Sequence, residues 1–142
     1  MPDKLTILLV EDNYEHLRLT RYILRTNNVP GDVRVVRDGQ EALDYLYRRN
    51  RFADSSSSPR PDLVLLDMNI PRIDGKEVLR IIKSDAQLKD IPVIVVSSSD
   101  REEDIRFASE TGAAAYISKS GGFEQLSAAL AGIHTHAAKR ES

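Results

Sequence analysis

Pro61-Asp62-Leu63-Val64-Leu65-Leu66-Asp67-Met68-Asn69-Ile70-Pro71 decides how this chain folds. Leu63 to Leu66 are apolar without alternation, which is how a strand buried on both faces reads. The run stops at Asp67. Taken alone, such an aspartate is an ordinary strand-end or turn residue. Its meaning depends on what other strands bring beside it.

Four more short apolar runs flank this one: Leu5 to Val10, Val33 to Val36, Pro92 to Val96, and Ala113 to Ile117. Helical spacing lies between them. Val78, Ile81 and Ile82 stand at i, i+3, i+4, and Leu126, Ala129, Leu130 and Ile133 repeat the pattern near the C-terminus. Leu17, Thr20 and Leu24 give a weaker stripe after the first strand. Asp38 with Glu41, and Asp100 with Glu103, have capping-box spacing and mark helix starts. Gly112 sits where a helix should stop. The order is strand–helix repeated five times, which implies an α/β domain, a parallel sheet covered by helices on both faces. One domain spanning 1–142 is expected, with a core from about residue 4 to 134. Arg51 to Pro61, with Ser55 to Ser58 and two prolines, reads as a flexible surface loop, and Ala137 to Ser142 as a frayed tail.

Composition narrows the class. The chain has 142 residues, 41% hydrophobic and 30% charged, an ordinary soluble balance that supports a core without crosslinks. Without cysteine there is neither a disulfide nor a thiolate site, which suits a reducing cytoplasm. No apolar run approaches the ~20 residues that span a bilayer. The N-terminus lacks a signal-peptide cleavage site. A net charge of -2 gives no reason to expect nucleic-acid binding.

Polar residues fall selectively at strand ends. The first strand runs into Glu11-Asp12, the third ends in Asp67, the fourth in Ser97, and the fifth is followed by Lys119. Sites in open α/β sheets form outside the carboxyl ends of the strands. With a flavodoxin-like order 2-1-3-4-5, these residues meet in one crevice. Three carboxylates at close range repel unless one protonates or a cation neutralises them. Oxygen ligands suit Mg²⁺, which takes one or two carboxylates and keeps several waters. Lys119 adds a second positive charge and Ser97 a hydroxyl donor. An ionised carboxylate is already a nucleophile at neutral pH and needs no general base.

Leu8-Leu9-Val10-Glu11-Asp12-Asn13, the stretch from Pro61 to Pro71 with Asp74-Gly75, Val95-Val96-Ser97, and Tyr116-Ile117-Ser118-Lys119 together resemble the response-regulator receiver domains of two-component signalling. The resemblance covers essentially the whole chain. It implies that Asp67 accepts a phosphoryl group, that Asp12 binds Mg²⁺ directly with Glu11 as a second or water-mediated ligand, and that Asn69 offers its backbone carbonyl. It also implies that Ser97 hydrogen-bonds the phosphoryl group, that Lys119 pairs with it, and that Tyr116 is an aromatic switch coupled to Ser97. The expected consequence is a population shift read at the face of the fourth helix, fifth strand and fifth helix. Ser120 replaces the proline that often follows the lysine, which leaves the peptide geometry there open, since a non-proline cis bond costs roughly 3 kcal/mol. The long loop, the Lys119-Ser120 pair and the missing output domain resemble stand-alone regulators partnered with phytochrome-type histidine kinases. A homodimer is expected, with Ile105, Phe107, Ala108 and Tyr116 contributing a face.

Plainer readings stand beside these. Glu11-Asp12 also favours a helix start by its charge. Ser97, Ser98 and Ser99 also suit a helix-entry turn. His134 and His136, two apart on a helix, point to different faces, and His16 is expected to be exposed. Arg48, Arg49 and Arg51 read as a solvated helix end. The chief functional alternative is a phosphorelay intermediate or phosphate sink without its own output. Enzymes that turn over an aspartyl-phosphate typically carry a second acid two residues after the nucleophile, and here that residue is Asn69. Self-phosphorylation from a donor and slow self-dephosphorylation are the only chemistry expected. No Gly-x-Gly-x-x-Gly or Walker motif follows the first strand.

Overall fold

The computed structural model describes residues 5–26, 31–54, 58–118, 125–126 and 128–129. Strand β1 (Leu5–Val10) leads to helix α1 (Tyr14–Thr26), and β2 (Gly31–Val36) to α2 (Gly39–Leu46) with a short 3₁₀ turn at Asn50–Phe52. Then come β3 (Leu63–Asp67), α3 (Gly75–Ser84), β4 (Val93–Ser97), α4 (Glu102–Thr111) and β5 (Ala115–Ser118). All five strands are parallel, in the order β2-β1-β3-β4-β5. This is the flavodoxin-like arrangement expected from the strand–helix alternation.

Every residue of β3 and β4 is buried, so unbroken Leu63–Leu66 and Val93–Val96 satisfy both faces at once. Full burial of each such side chain stabilises by roughly 1.5–3 kcal/mol. The sheet separates two apolar clusters. Leu8, Val10, Val64, Leu66, Val93 and Val95 pack with α2, α3 and α4. Ile7, Leu9, Leu63, Leu65, Ile94 and Val96 pack with α1 and with Leu126. Alternate residues of one strand thus serve opposite layers.

The helix signals hold unevenly. Asp38 caps α2, its Oδ1 accepting the Glu41 N–H at 2.7 Å, while Glu41 accepts from Arg37 N at 2.9 Å, one residue before the usual partner. Gly112, at φ 113°, ends α4 in the left-handed region that glycine enters without a Cβ clash. The Asp100–Glu103 capping box does not form. Arg101 is the N-cap, without a side-chain cap, because the Asp100 carboxylate accepts the Ser118 hydroxyl instead.

The expectation of a flexible Arg51–Pro61 loop is revised for its described residues. Tyr45 donates its hydroxyl to Pro59 O at 2.8 Å, Arg60 Nη1 reaches Gln87 O at 2.7 Å, and Phe52 packs on Tyr45 with ring centroids 5.2 Å apart. Arg48 lies at φ 54°, with Arg49 N bonded back to Asp44 O at 2.8 Å, so a non-glycine residue closes α2 in left-handed geometry. The expected Ala137–Ser142 tail, His134, His136, and the Lys119–Ser120 peptide lie outside the described residues.

Candidate functional site: an acidic crevice at the carboxyl edge

Strand register assembles the site. Val10 pairs with Leu66, Asp67 with Val96, and Ser97 with Ser118, so β1, β3, β4 and β5 finish at one edge. Glu11, Asp12 and Asp67 each present a carboxylate oxygen there, all within 4.8 Å of one another. Glu11 and Asp67 are buried while Asp12 is exposed, so the cluster opens to solvent on one side. The donor set is three carboxyl groups, all oxygen, which fits a hard divalent cation better than Zn²⁺ or copper.

Local bonds fix each member. The Asn13 N–H donates to Glu11 Oε2 at 3.1 Å, and the Asn69 N–H donates to Asp67 Oδ1 at 2.9 Å. Asn69 Nδ2 reaches Ser98 Oγ at 3.1 Å, tying the loop after β3 to the loop after β4. Two glycines clamp the first of these loops. A Cβ on Gly75 would stand 2.5 Å from Met68 Cα and 2.6 Å from Asp67 O, and one on Gly39 would stand 1.8 Å from Ile73 O. Only a bare backbone lets α2 and α3 start this close behind Asp67.

Ser97 is fully buried, and its Oγ accepts the Ser99 N–H at 3.1 Å. The helix-entry turn expected of this serine run is therefore present, and it places Ser97 at the crevice as well. Every polar group of Ser99 is engaged. Its hydroxyl donates to Asp104 Oδ2 at 2.6 Å and accepts from Arg101 N at 3.2 Å, and its carbonyl accepts the Tyr116 hydroxyl at 2.8 Å. Tyr116 is thereby joined to the Ser97 loop through Ser99. Lys119 lies outside the described residues, one position beyond Ser118.

Three residues near the crevice escaped sequence reasoning. Lys76 Nζ stands 2.6 Å from Asp104 Oδ1, an ion pair off the angle of a regular hydrogen bond, and Arg101 Nε stands 3.4 Å from Asp104 Oδ2. The close contact with the Lys76 ammonium, then the hydrogen bond from Ser99, hold the Asp104 carboxyl down at about 2 against the pull of burial. Arg101 and Asp104 at i, i+3 were a legible pair, but nothing in the sequence joins Lys76 to them.

Other expectations change. His16 is half-buried rather than exposed, its Nδ1 3.9 Å from Glu11 Oε2. Arg49 and Arg51 pair with Asp44 at 3.4 Å and Glu41 at 3.1 Å, so this helix end is cross-linked rather than only solvated. The expected apolar face on α4 breaks up. Ala108 is fully buried and Phe107 packs on the core, leaving Ile105, 41% exposed, as its apolar contribution.

The model of the response regulator receiver domain matches residues 7–131. The chain belongs to this family. It is a receiver domain of two-component signalling. Response regulator Rcp1 of Synechocystis sp. is 37% identical over 129 residues, covering 91% of this chain and 86% of that protein. The crystal structure of the phosphorylated cyanobacterial phytochrome response regulator RcpA shares 44% identity at a TM-score of 0.80, covering 92% of this chain and 91% of that one. The Mn²⁺-bound form of Rcp1 gives 37% identity and a TM-score of 0.79, covering 92% of each chain. The receiver domain's relatives thus include phytochrome-associated regulators. No helix among its described residues is long and apolar enough to cross a membrane.

Proposed function

We propose that this receiver domain is a cytoplasmic switch that takes a phosphoryl group onto Asp67 from a sensor histidine kinase of the phytochrome type. The observation that carries the reading is the convergence of Glu11, Asp12 and Asp67 within 4.8 Å at the edge where β3 ends. An Asp67 oxygen attacks the phosphorus of the kinase phosphohistidine. The P–O bond forms as the P–N bond breaks, and the imidazole leaves with a proton from solvent. Water later attacks the same phosphorus, restoring the carboxylate and releasing inorganic phosphate. No other turnover is ascribed to the chain. The cation is Mg²⁺, held by Glu11, Asp12 and Asp67 with the Asn69 carbonyl. Bound there, it would neutralise carboxylate repulsion and supply positive charge to offset that of the transferred group. The Ser97 hydroxyl and the Lys119 ammonium receive the remaining charge. The similarity to regulators named for phytochromes supports the choice of kinase, and the Mn²⁺-bound relative supports a divalent ion.

The phosphorylated form is read by a second copy of the chain or by a partner, through Tyr116 and α4. Beryllofluoride with Mg²⁺, followed by calorimetry, tests the chemistry: the wild type binds and Asp67→Asn does not. Binding that survives Asp67→Asn refutes the assignment. Sedimentation with and without beryllofluoride tests the readout. A larger species with the analogue supports a dimerising switch, whereas unchanged assembly and no gained partner favour a relay or phosphate sink.

A further inference from the structure

A pocket of about 240 Å³ shares Asn69 and Ser97 with the crevice and is lined further by Met68, Lys76 and Arg101 and by the carboxylates Asp74 and Asp104. Its two cations come from α3 and the start of α4, and neither belongs to the family's set of residues named above. Both are committed to Asp104, Lys76 at 2.6 Å and Arg101 at 3.4 Å, with Arg101 also 3.5 Å from Glu103. Lys76 lies in addition 5.5 Å over the Phe107 ring. Asp104 is 5% exposed, whereas the Lys76 and Arg101 side chains are 43% and 69% exposed, so the anion is fixed and the cations are able to turn.

We propose that Lys76 and Arg101 are additional phosphoryl-pairing cations, and that Asp104 is a resident anion holding them until Asp67 is phosphorylated. The inference rests on the reading of Asp67 as the phosphoryl acceptor. A phosphoryl group brings roughly two negative charges and three acceptor oxygens, against one charge on Asp104. Asp67 itself does not line the pocket, but Ser97 does, so a phosphoryl group on Asp67 that bonds Ser97 would stand at the pocket's rim and compete with Asp104 for the two cations. Releasing both cations leaves the buried Asp104 carboxylate with Ser99 as its remaining partner. A buried charge that loses its counterion is driven toward water. Asp104 lies in the first turn of α4, so the exchange of partners loosens that turn and, through Ser99, the bond to Tyr116.

Calorimetric titration of the full chain with beryllofluoride in Mg²⁺ tests this. Asp104→Asn is expected to tighten binding about three- to fivefold, because the cations lose their resident competitor, and Lys76→Gln to weaken it by a similar factor. A pair that only pinned α4 to α3 would shift affinity in the same direction from either side. Shifts of the same sign, or no shift in either variant, overturn the proposal. If thermal unfolding shows that Asp104→Asn does not fold, Lys76→Gln decides, with weakened binding in support and unchanged affinity against. Lys76→Arg, which keeps the charge, is expected to restore binding. Wild-type binding that is missing, or that survives Asp67→Asn, overturns both the reading of Asp67 and this proposal. Asp67-dependent binding indifferent to Lys76 and Asp104 overturns this proposal alone.

Discussion

Helices α3 and α4 start at the same edge of the sheet by different means. The entry to α3 is local. Asp74 Oδ1 accepts the Glu77 N–H at 3.0 Å, and Gly75 sits hard against the Asp67–Met68 backbone. The entry to α4 has no side-chain cap and depends on charges and hydroxyls gathered from Lys76, Ser99 and Arg101 around Asp104. A steric and capped entry has one arrangement. An entry made of ion pairs has rearrangements available when a new charge arrives. The rigid entry stands directly behind the reactive carboxylate, and the adjustable one lies beside it.

Breaking the rigid entry should cost most. Gly75→Ala inserts a methyl 2.5 Å from Met68 Cα, in contact with backbone rather than with a side chain that can yield. A loss of roughly 3 kcal/mol is expected, seen as a lower urea midpoint at unchanged slope. A near-wild-type midpoint would show that the loop behind Asp67 gives way and that the contrast between the helices is false. Asp74→Ala removes only the cap and should cost about 1 kcal/mol by the same measurement. Substituting Arg101, the uncapped counterpart, should move the midpoint less than Asp74→Ala does, because its pair with Asp104 is made from an arginine that is largely exposed.

A further effect probes the adjustable entry through pH. The Asp104 carboxyl is held at about 2, below its ordinary 3.8, by Lys76 first and then Ser99. A depressed carboxyl contributes stability that is fully present above its unfolded pKa and fades as pH falls through the folded one. The stability difference between wild type and Asp104→Asn should therefore be constant above about pH 5 and shrink from about pH 4 toward 2. A difference that does not shrink with acidification would mean that Asp104 is not held by charge.

The sheet was legible because its signal is short-range. Leu63–Leu66 and Val93–Val96 are buried on both faces, and that state needs no distant information to recognise. The strand order then brought Glu11, Asp12, Asp67 and Ser97 to one edge. The surroundings of Asp104 were illegible for the opposite reason. Lys76 and Asp104 read as separate surface charges on two helices, and only the packing of α3 on α4 makes them partners. Asp100 misled for a related reason: its spacing to Glu103 fits a cap, but Ser118 on the neighbouring strand claims its carboxylate. The loop after α2 looked free because Tyr45 and Arg60, which anchor it, bond to backbone carbonyls that leave no mark in sequence.

The sheet also works as a bulkhead. Leu66 and Val95 face the compartment that holds α3 and α4, whereas Leu65 and Ile94, their chain neighbours, face the one that holds α1. Side chains in the two compartments do not interdigitate, so repacking under α1 is felt weakly around Asp104. The exposed Tyr14, Leu19 and Tyr22 of α1 lie across the sheet from α4, so a partner seated on them would leave the packing around Asp104 undisturbed.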